Sequence, residues 1–305
     1  SPANDVAMYI LSSSAYLHGK EPVTNETLAS IFGSATNLIG EYFGVQSRHF
    51  VLDPNSGKNI ADEHNSDFCY KAASQSLQKG EINKNSIGVI ISATNTPDYT
   101  LPQTSVLIQE KLKLDSVITL DIRGGCAAPL QAMLIAETFF KSGFEKNILI
   151  LGSECFSPIY YPYLLKNKAN FLAKDLMNSL IFGDGAAALI LGKQPKEGSL
   201  EVEFTKSQSC FPSWQPGFVV ALGGSKVSQF GEEKVSLAKM MKHFPKEIST
   251  HMPEAIKLVL RQLITEKNYR KEDFSFIVGP QANRRLVDSL NKAFDSTNYF
   301  YNGDT

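Results

Sequence analysis

The chain has 305 residues, 43% of them apolar, and 30 Lys+Arg against 31 Asp+Glu give a formal net charge of −1. This composition excludes a disordered or fibrous chain, and the charge balance offers no electrostatic case for a nucleic-acid partner. Cys69, Cys126, Cys155 and Cys210 are too scattered for a CxxC pair or a secreted disulfide framework, the amino end lacks a signal-peptide pattern, and no apolar run approaches the roughly 18–20 residues that span a bilayer. The expectation is a soluble cytoplasmic protein with free thiols and no membrane partner.

Along the chain, Val51 to Glu63 is polar and reads as loop, and Asp67 to Leu77 as a short helix. From Ser86 to Gly192 two kinds of segment alternate. SIGVIISAT, SVITLDI, KNILILGSE and AAALILG are continuous apolar runs that predict fully buried strands. PQTSVLIQEKL, with Pro102 opening it, and AAPLQAMLIAETFFKSG, with Gly143 at its end, have the length and spacing of helices. Such alternation implies parallel strands joined by crossover helices. Beyond Gly192, EVEF reads as a strand, SCFPSWQPGFVVALGGSK as covering loops and short strands, and PEAIKLVLRQLI as an amphipathic helix with Pro253 in its first turn. FSFIVG then predicts another strand, while YFYNG leads to Asp304 and Thr305 without a final element.

The densest chemistry lies in VITLDIRGGCAAPLQAM. Cys126 follows a strand and the Gly124–Gly125 pair and precedes a long helix. Glycines permit a tight turn there. The unpaired amides and dipole at a helix start favour a thiolate, which predicts a pKa below the free value of about 8.5. The same amides can stabilise a tetrahedral oxyanion. Sulfur so placed attacks a thioester carbonyl and carries the acyl group. GDGAAALI, with Gly183 and Gly185, lacks the spacing of a nucleotide loop and reads as structural glycines. The five histidines form no HExxH pair and the cysteines no zinc spacing, so no metal site is expected.

With these residues in view, the chain resembles the 3-oxoacyl-acyl-carrier-protein synthase III family of the thiolase superfamily. The likeness runs from SSAYLHGKEPVTNETL through SATNTPDYTLPQTSVLIQ, DIRGGCAAPLQAM, LGSE and LIFGDGAAALIL, and resumes at GPQANRRL and NGDT. It implies a five-layered α-β-α-β-α fold of two similar halves. Here these are 1–195, carrying the cysteine turn, and 196–305, whose end looks incomplete. It also implies a dimer, homologous or self-paired, and a nucleophile at Cys126. No tightly bound cofactor is implied, only a donor thioester on acyl-carrier phosphopantetheine or coenzyme A.

The supporting positions depart from the family pattern. Pro280 stands at the histidine position of the His-Gln-Ala-Asn segment, and Asp304 where an asparagine is usual. Proline neither donates a side-chain hydrogen bond nor accepts a proton, and an ionised aspartate accepts but does not donate. Acylation of Cys126 followed by transfer to an oxygen or nitrogen acceptor, with Asp304 orienting the acceptor, is therefore the leading expectation. Decarboxylative 3-oxoacyl synthesis and a non-catalytic partner subunit are the alternatives. His251, read as preceding a helix start, is the candidate replacement base. The resemblance further assigns substrate contact to Asn283, Arg285 and Leu101, with Arg284 and Lys292 beside a carrier's phosphate or acidic surface. Leu38 and Tyr42 stand where the family has a coenzyme A-binding tryptophan and arginine, which favours acyl carrier protein as donor.

Overall fold

The computed structural model describes residues 6–18, 21–209, 216–220, 241–275, 277–280, 284–294 and 299–300. Its strands are β1 (Met8–Tyr16), β2 (Val23–Thr24), β3 (Ser47–Arg48), β4 (Ile87–Ala93), β5 (Ile118–Ile122), β6 (Asn147–Cys155), β7 (Asp184–Gly192), β8 (Leu200–Val202), β9 (Phe218–Val220), β10 (Met241–His243), β11 (Ile277–Val278) and β12 (Tyr299–Phe300). Its α-helices are α1 (Asn25–Phe32), α2 (Leu38–Phe43), α3 (Asn65–Lys79), α4 (Thr104–Leu112), α5 (Ala128–Lys141), α6 (Ser157–Lys166), α7 (Ala173–Ser179), α8 (Pro245–Lys267) and α9 (Arg284–Phe294). The result is a mixed α/β fold around a six-stranded sheet in the order β5-β4-β6-β7-β1-β8.

The apolar runs decide where each strand lies. Every residue of β4 is buried because helices cover both faces of the sheet at its middle. One core lies under α3, where Phe68, Ala72 and Leu77 meet Leu149, Leu151 and Ile190. The other lies under α5, where Ala132, Met133, Ala136 and Phe140 meet Val89, Ile91, Ile148 and Ile150. Each such aliphatic side chain contributes about 1.5–3 kcal/mol by leaving water. The alanine stripe on α5 lets that helix come close to the sheet, and at Gly152 an added Cβ would stand 3.1 Å from Pro129 Cγ.

Three expectations change here. β4 runs parallel to β5 and β6, but β7 is antiparallel to β6, and β1 is antiparallel to both β7 and β8. The segment holding α6 and α7 leaves the end of β6 and returns beside it, so that Cys155 pairs with Asp184. A strand buried on both faces gives the same continuous apolar run in either direction, so its direction is not written in its hydropathy. SVITLDI is not fully buried: β5 ends the strand order, and Ile118 is 43% exposed. The helix expected from Pro102 starts at Thr104, whose amide and that of Ser105 are received by the Asp121 carboxylate at 2.7 and 2.9 Å.

The later part of the chain adds β9 paired with β10 and β11 parallel to β12, so YFYNG does begin with a short strand. Leu286, Val287 and Leu290 of α9 pack against Met252 and Ile256 of α8. At Gly44, where φ is 72°, an added Cβ would meet Arg284 Cβ at 2.4 Å, so glycine is required for α2 and α9 to approach.

Candidate active site

In α/β sheets, sites form outside the carboxyl ends of parallel strands, and here those ends are Ala93, Ile122 and Cys155. After Ile122 the chain passes Arg123 and Gly124 into a 3-10 turn, Gly125–Ala127, which runs directly into α5. Gly125 holds φ at 59°, a left-handed conformation that side chains disfavour. At Gly124 an added Cβ would lie 2.3 Å from Gln131 Oε1. The glycine pair therefore bends the chain, and Pro129 opens the helix. Cys126 sits on this turn as an exposed free cysteine, whereas Cys69 and Cys155 are buried free cysteines. Cys210 lies outside the described residues.

The expected low pKa of Cys126 is not what its surroundings produce. Protein packed around the sulfur pushes the thiol up even though the residue is open to approach, and the Glu154 carboxylate pushes it further, while the backbone amide of Cys126 pulls the other way. The helix start is outweighed first by burial and then by the Glu154 anion at the end of β6. Burial pushes the other thiols higher still, Cys69 to about 12.

Glu154, at the end of β6, receives Asn95 Nδ2 at 2.6 Å, Asn95 N at 3.1 Å and Thr96 Oγ1 at 2.6 Å. Burial pushes its carboxyl up, partly offset by these bonds. Asn95 Oδ1 in turn faces the Gly125 amide at 3.4 Å, and Thr96 Oγ1 receives the Cys155 amide at 2.7 Å. The ends of β4, β5 and β6 are thus laced together around Cys126. Sequence reasoning passed over Asn95, Thr96 and Glu154. They stand in SATNT and LGSE, immediately past or at the ends of predicted strands, and that position was the available signal.

Deeper in the same edge, Asp184 is 4% exposed and receives Val51 N at 2.7 Å and Ser157 N at 2.8 Å, together with the Ser157 hydroxyl. The GDG segment is structural, as expected: at Gly183 an added Cβ would lie 3.0 Å from the His49 carbonyl oxygen.

The remaining candidates fall in different places. Leu101 is 82% exposed in the loop before α4. His251 does not precede a helix start. It lies inside α8, with Nε2 3.1 Å from Glu247 Oε2, because KEISTHM continues the helix and Pro245, rather than Pro253, occupies its first turn. Pro253 is interior and buried. Pro280 follows β11 and is half-buried. Asn283, Asp304 and the side chains of Arg285 and Lys292 lie outside the described residues. Arg284 Nε stands 3.6 Å from Asp288 on α9, and Leu38 and Tyr42 are exposed on α2. Among the described residues no group of three His, Cys, Asp or Glu could hold a metal ion, and no helix is long and apolar enough to cross a membrane.

The family description "3-Oxoacyl-[acyl-carrier-protein (ACP)] synthase III" matches residues 120–208, which include the Cys126 turn, the end of β6 and Asp184. A beta-ketoacyl-[acyl-carrier-protein] synthase III from Rhodospirillum centenum is 27% identical over 281 residues, covering 92% of this chain and 78% of that protein. One from Neisseria gonorrhoeae is 27% identical over 278 residues, 88% of this chain and 76% of that protein. Over residues 120–208, and across most of its length to these relatives, the chain is similar to the synthase III family. Solved structures agree on the fold. AbyA1, a tetronic acid condensing enzyme, superposes with a TM-score of 0.84 at 20% identity over 96% of this chain and 85% of that one. The 3-oxoacyl-[acyl-carrier-protein] synthase III of Aquifex aeolicus VF5 superposes with a TM-score of 0.73 at 21% identity, covering 97% and 84%. These relatives are named as synthases and condensing enzymes, which places this chain among enzymes of the transferase type.

Proposed function

We propose that this protein is an acyltransferase that loads an acyl group from an acyl-carrier thioester onto Cys126 and passes it to an oxygen or nitrogen acceptor. The observation that carries the proposal is the accessible Cys126 on a glycine-made turn at the head of α5, beside the closing ends of β4 and β6. Cys126 sulfur attacks the donor carbonyl, the carrier leaves as its thiol, and the acceptor's hydroxyl or amine then takes the acyl group and restores the Cys126 thiol. Amides at the head of α5 supply positive potential for the oxyanion of each step.

Pro280 favours this route over condensation, since proline offers neither a proton acceptor nor a donor for decarboxylating a malonyl thioester. Asp304 orients the acceptor, and Asn283 and Arg285 bind the carrier's phosphopantetheine arm. The working unit is a homodimer. β5 ends the strand order with one edge unpaired in the described sheet, and Tyr99, Leu101, Ile118 and Leu130 are exposed near it. Free thiols suit a cytoplasmic setting.

The purified chain, given acyl-carrier thioesters and a panel of alcohols and amines, should release acylated acceptor without carbon dioxide from malonyl donors. Sustained decarboxylative condensation would replace this reading with that of a ketoacyl synthase. Activity of a complex that survives Cys126→Ala would replace it with that of a partner subunit.

A further inference from the structure

We propose that Glu154 is a positioning residue for the chemistry of Cys126, acting through Asn95 on the Gly125 turn and through its charge on the sulfur. The inference rests on Cys126 being the reacting group. Its geometric basis is the chain of contacts from Glu154 to Asn95 Nδ2 at 2.6 Å and from Asn95 Oδ1 to the Gly125 amide at 3.4 Å. With its amide nitrogen held by Glu154, the Asn95 side chain must present its oxygen to the turn. The turn, in turn, is what aims Cys126.

A purely structural link here would not need a charge. The hydrogen bonds to Glu154 come from the Asn95 amide, the Asn95 side chain and the Thr96 hydroxyl, all neutral donors. No cation pairs with the carboxylate in these bonds, and its charge acts on Cys126. Asp121 receives the Thr104 and Ser105 amides, Asp98 the Ser66 amide at 3.1 Å, and Asp184 Val51 and Ser157, but the acidic group whose charge acts on Cys126 is Glu154. Arg123 is exposed on the approach to the turn. The buried thiols of Cys69 and Cys155 are pushed up and stay protonated.

An anion beside a thiol has two opposed effects. It lowers the fraction present as thiolate, and it makes the thiolate that does form more nucleophilic, with a Brønsted slope of about 0.4–0.5. Glu154 thus adds to the burial that keeps the resting sulfur a thiol, and sharpens it when the proton leaves. Removing the charge therefore raises the thiolate fraction at neutral pH while each thiolate reacts more slowly.

Iodoacetamide alkylation of Cys126, mapped by peptide mass from neutral to alkaline pH on the full chain, tests this without any acyl donor. Failure of acyl loading and failure of this inference are therefore separate results. Glu154→Gln should lower the midpoint, raise the neutral rate and lower the alkaline plateau. Glu154→Asp should keep the wild-type midpoint. Asn95→Ala, which cuts the tether, should slow alkylation along the whole profile, and it carries the test if Glu154→Gln does not fold. A folded Glu154→Gln with the wild-type midpoint, or with both limbs moved in one direction, would overturn the electrostatic role. An unchanged profile for Asn95→Ala would overturn the tether.

Discussion

Asp184→Asn should cost far more than its near-identical shape suggests. The carboxylate of Asp184 holds three groups from two other parts of the chain: the Val51 amide at 2.7 Å, the Ser157 amide at 2.8 Å and the Ser157 hydroxyl. Burial pushes this carboxyl up, against the pull of those bonds. Asparagine offers one acceptor oxygen and turns an NH2 group towards donors. One bond to a charged acceptor is lost, worth about 1.5–3 kcal/mol, and one buried amide is left without a partner, at about 1–3 kcal/mol. The combined destabilisation is about 3 kcal/mol or more, which for a chain of this size lowers the melting temperature by about 5 °C or more. Urea and thermal unfolding of the purified variant measure it directly. A loss below about 1 kcal/mol would refute the reasoning, because it would mean that Val51 and Ser157 find other acceptors at no cost.

Other expectations follow from single features. Gly125→Ala, at φ 59°, should cost about 1–2 kcal/mol and slow Cys126 alkylation, whereas Gly143→Ala, at φ 91°, should be destabilising and leave alkylation unchanged. Leu101→Asp, at a site 82% exposed, should convert the proposed dimer to monomer in sedimentation without lowering thermal stability. Glu63 offers a pH test: burial opposes its ionisation, but hydrogen bonds from Lys71, His18 and Tyr16 outweigh this and hold its carboxyl below the ordinary value. A depressed folded pKa contributes stability above the unfolded value of about 4.3 and loses it as pH falls through the folded one. Glu63→Gln should therefore lower the melting temperature more at pH 7 than at acid pH, and an equal loss at both would count against the network.

What was legible in the sequence was whatever depends on local pattern. The runs that became β4, β6 and β7, the helix from Ala128 to Lys141 and the glycine turn at Cys126 all announce themselves through burial, length and glycine placement. The direction of β7 did not, because a strand covered on both faces looks alike whichever way it runs. The helix holding His251 was misjudged because Pro253 looked like a start signal, while KEISTHM before it already supplied helical turns and Pro245 the real opening. The rise in the Cys126 pKa was invisible for a different reason. Its main cause, burial of the sulfur, comes only with tertiary packing, and Glu154, which adds to it, is 28 residues further along the chain and reaches the turn only through the pairing of β4 with β5 and β6.

The central claim, that Cys126 accepts an acyl group from a thioester donor, has one direct measurement. The full chain is incubated with short, medium, long and aromatic acyl-carrier thioesters, and any acyl mass increment is mapped to a peptide under conditions that preserve thioesters. The account predicts an increment on Cys126 that hydroxylamine removes and Cys126→Ala abolishes. An unmodified Cys126 across the panel in a folded, donor-binding protein, or an increment on Cys69, Cys155 or Cys210 instead, would contradict it.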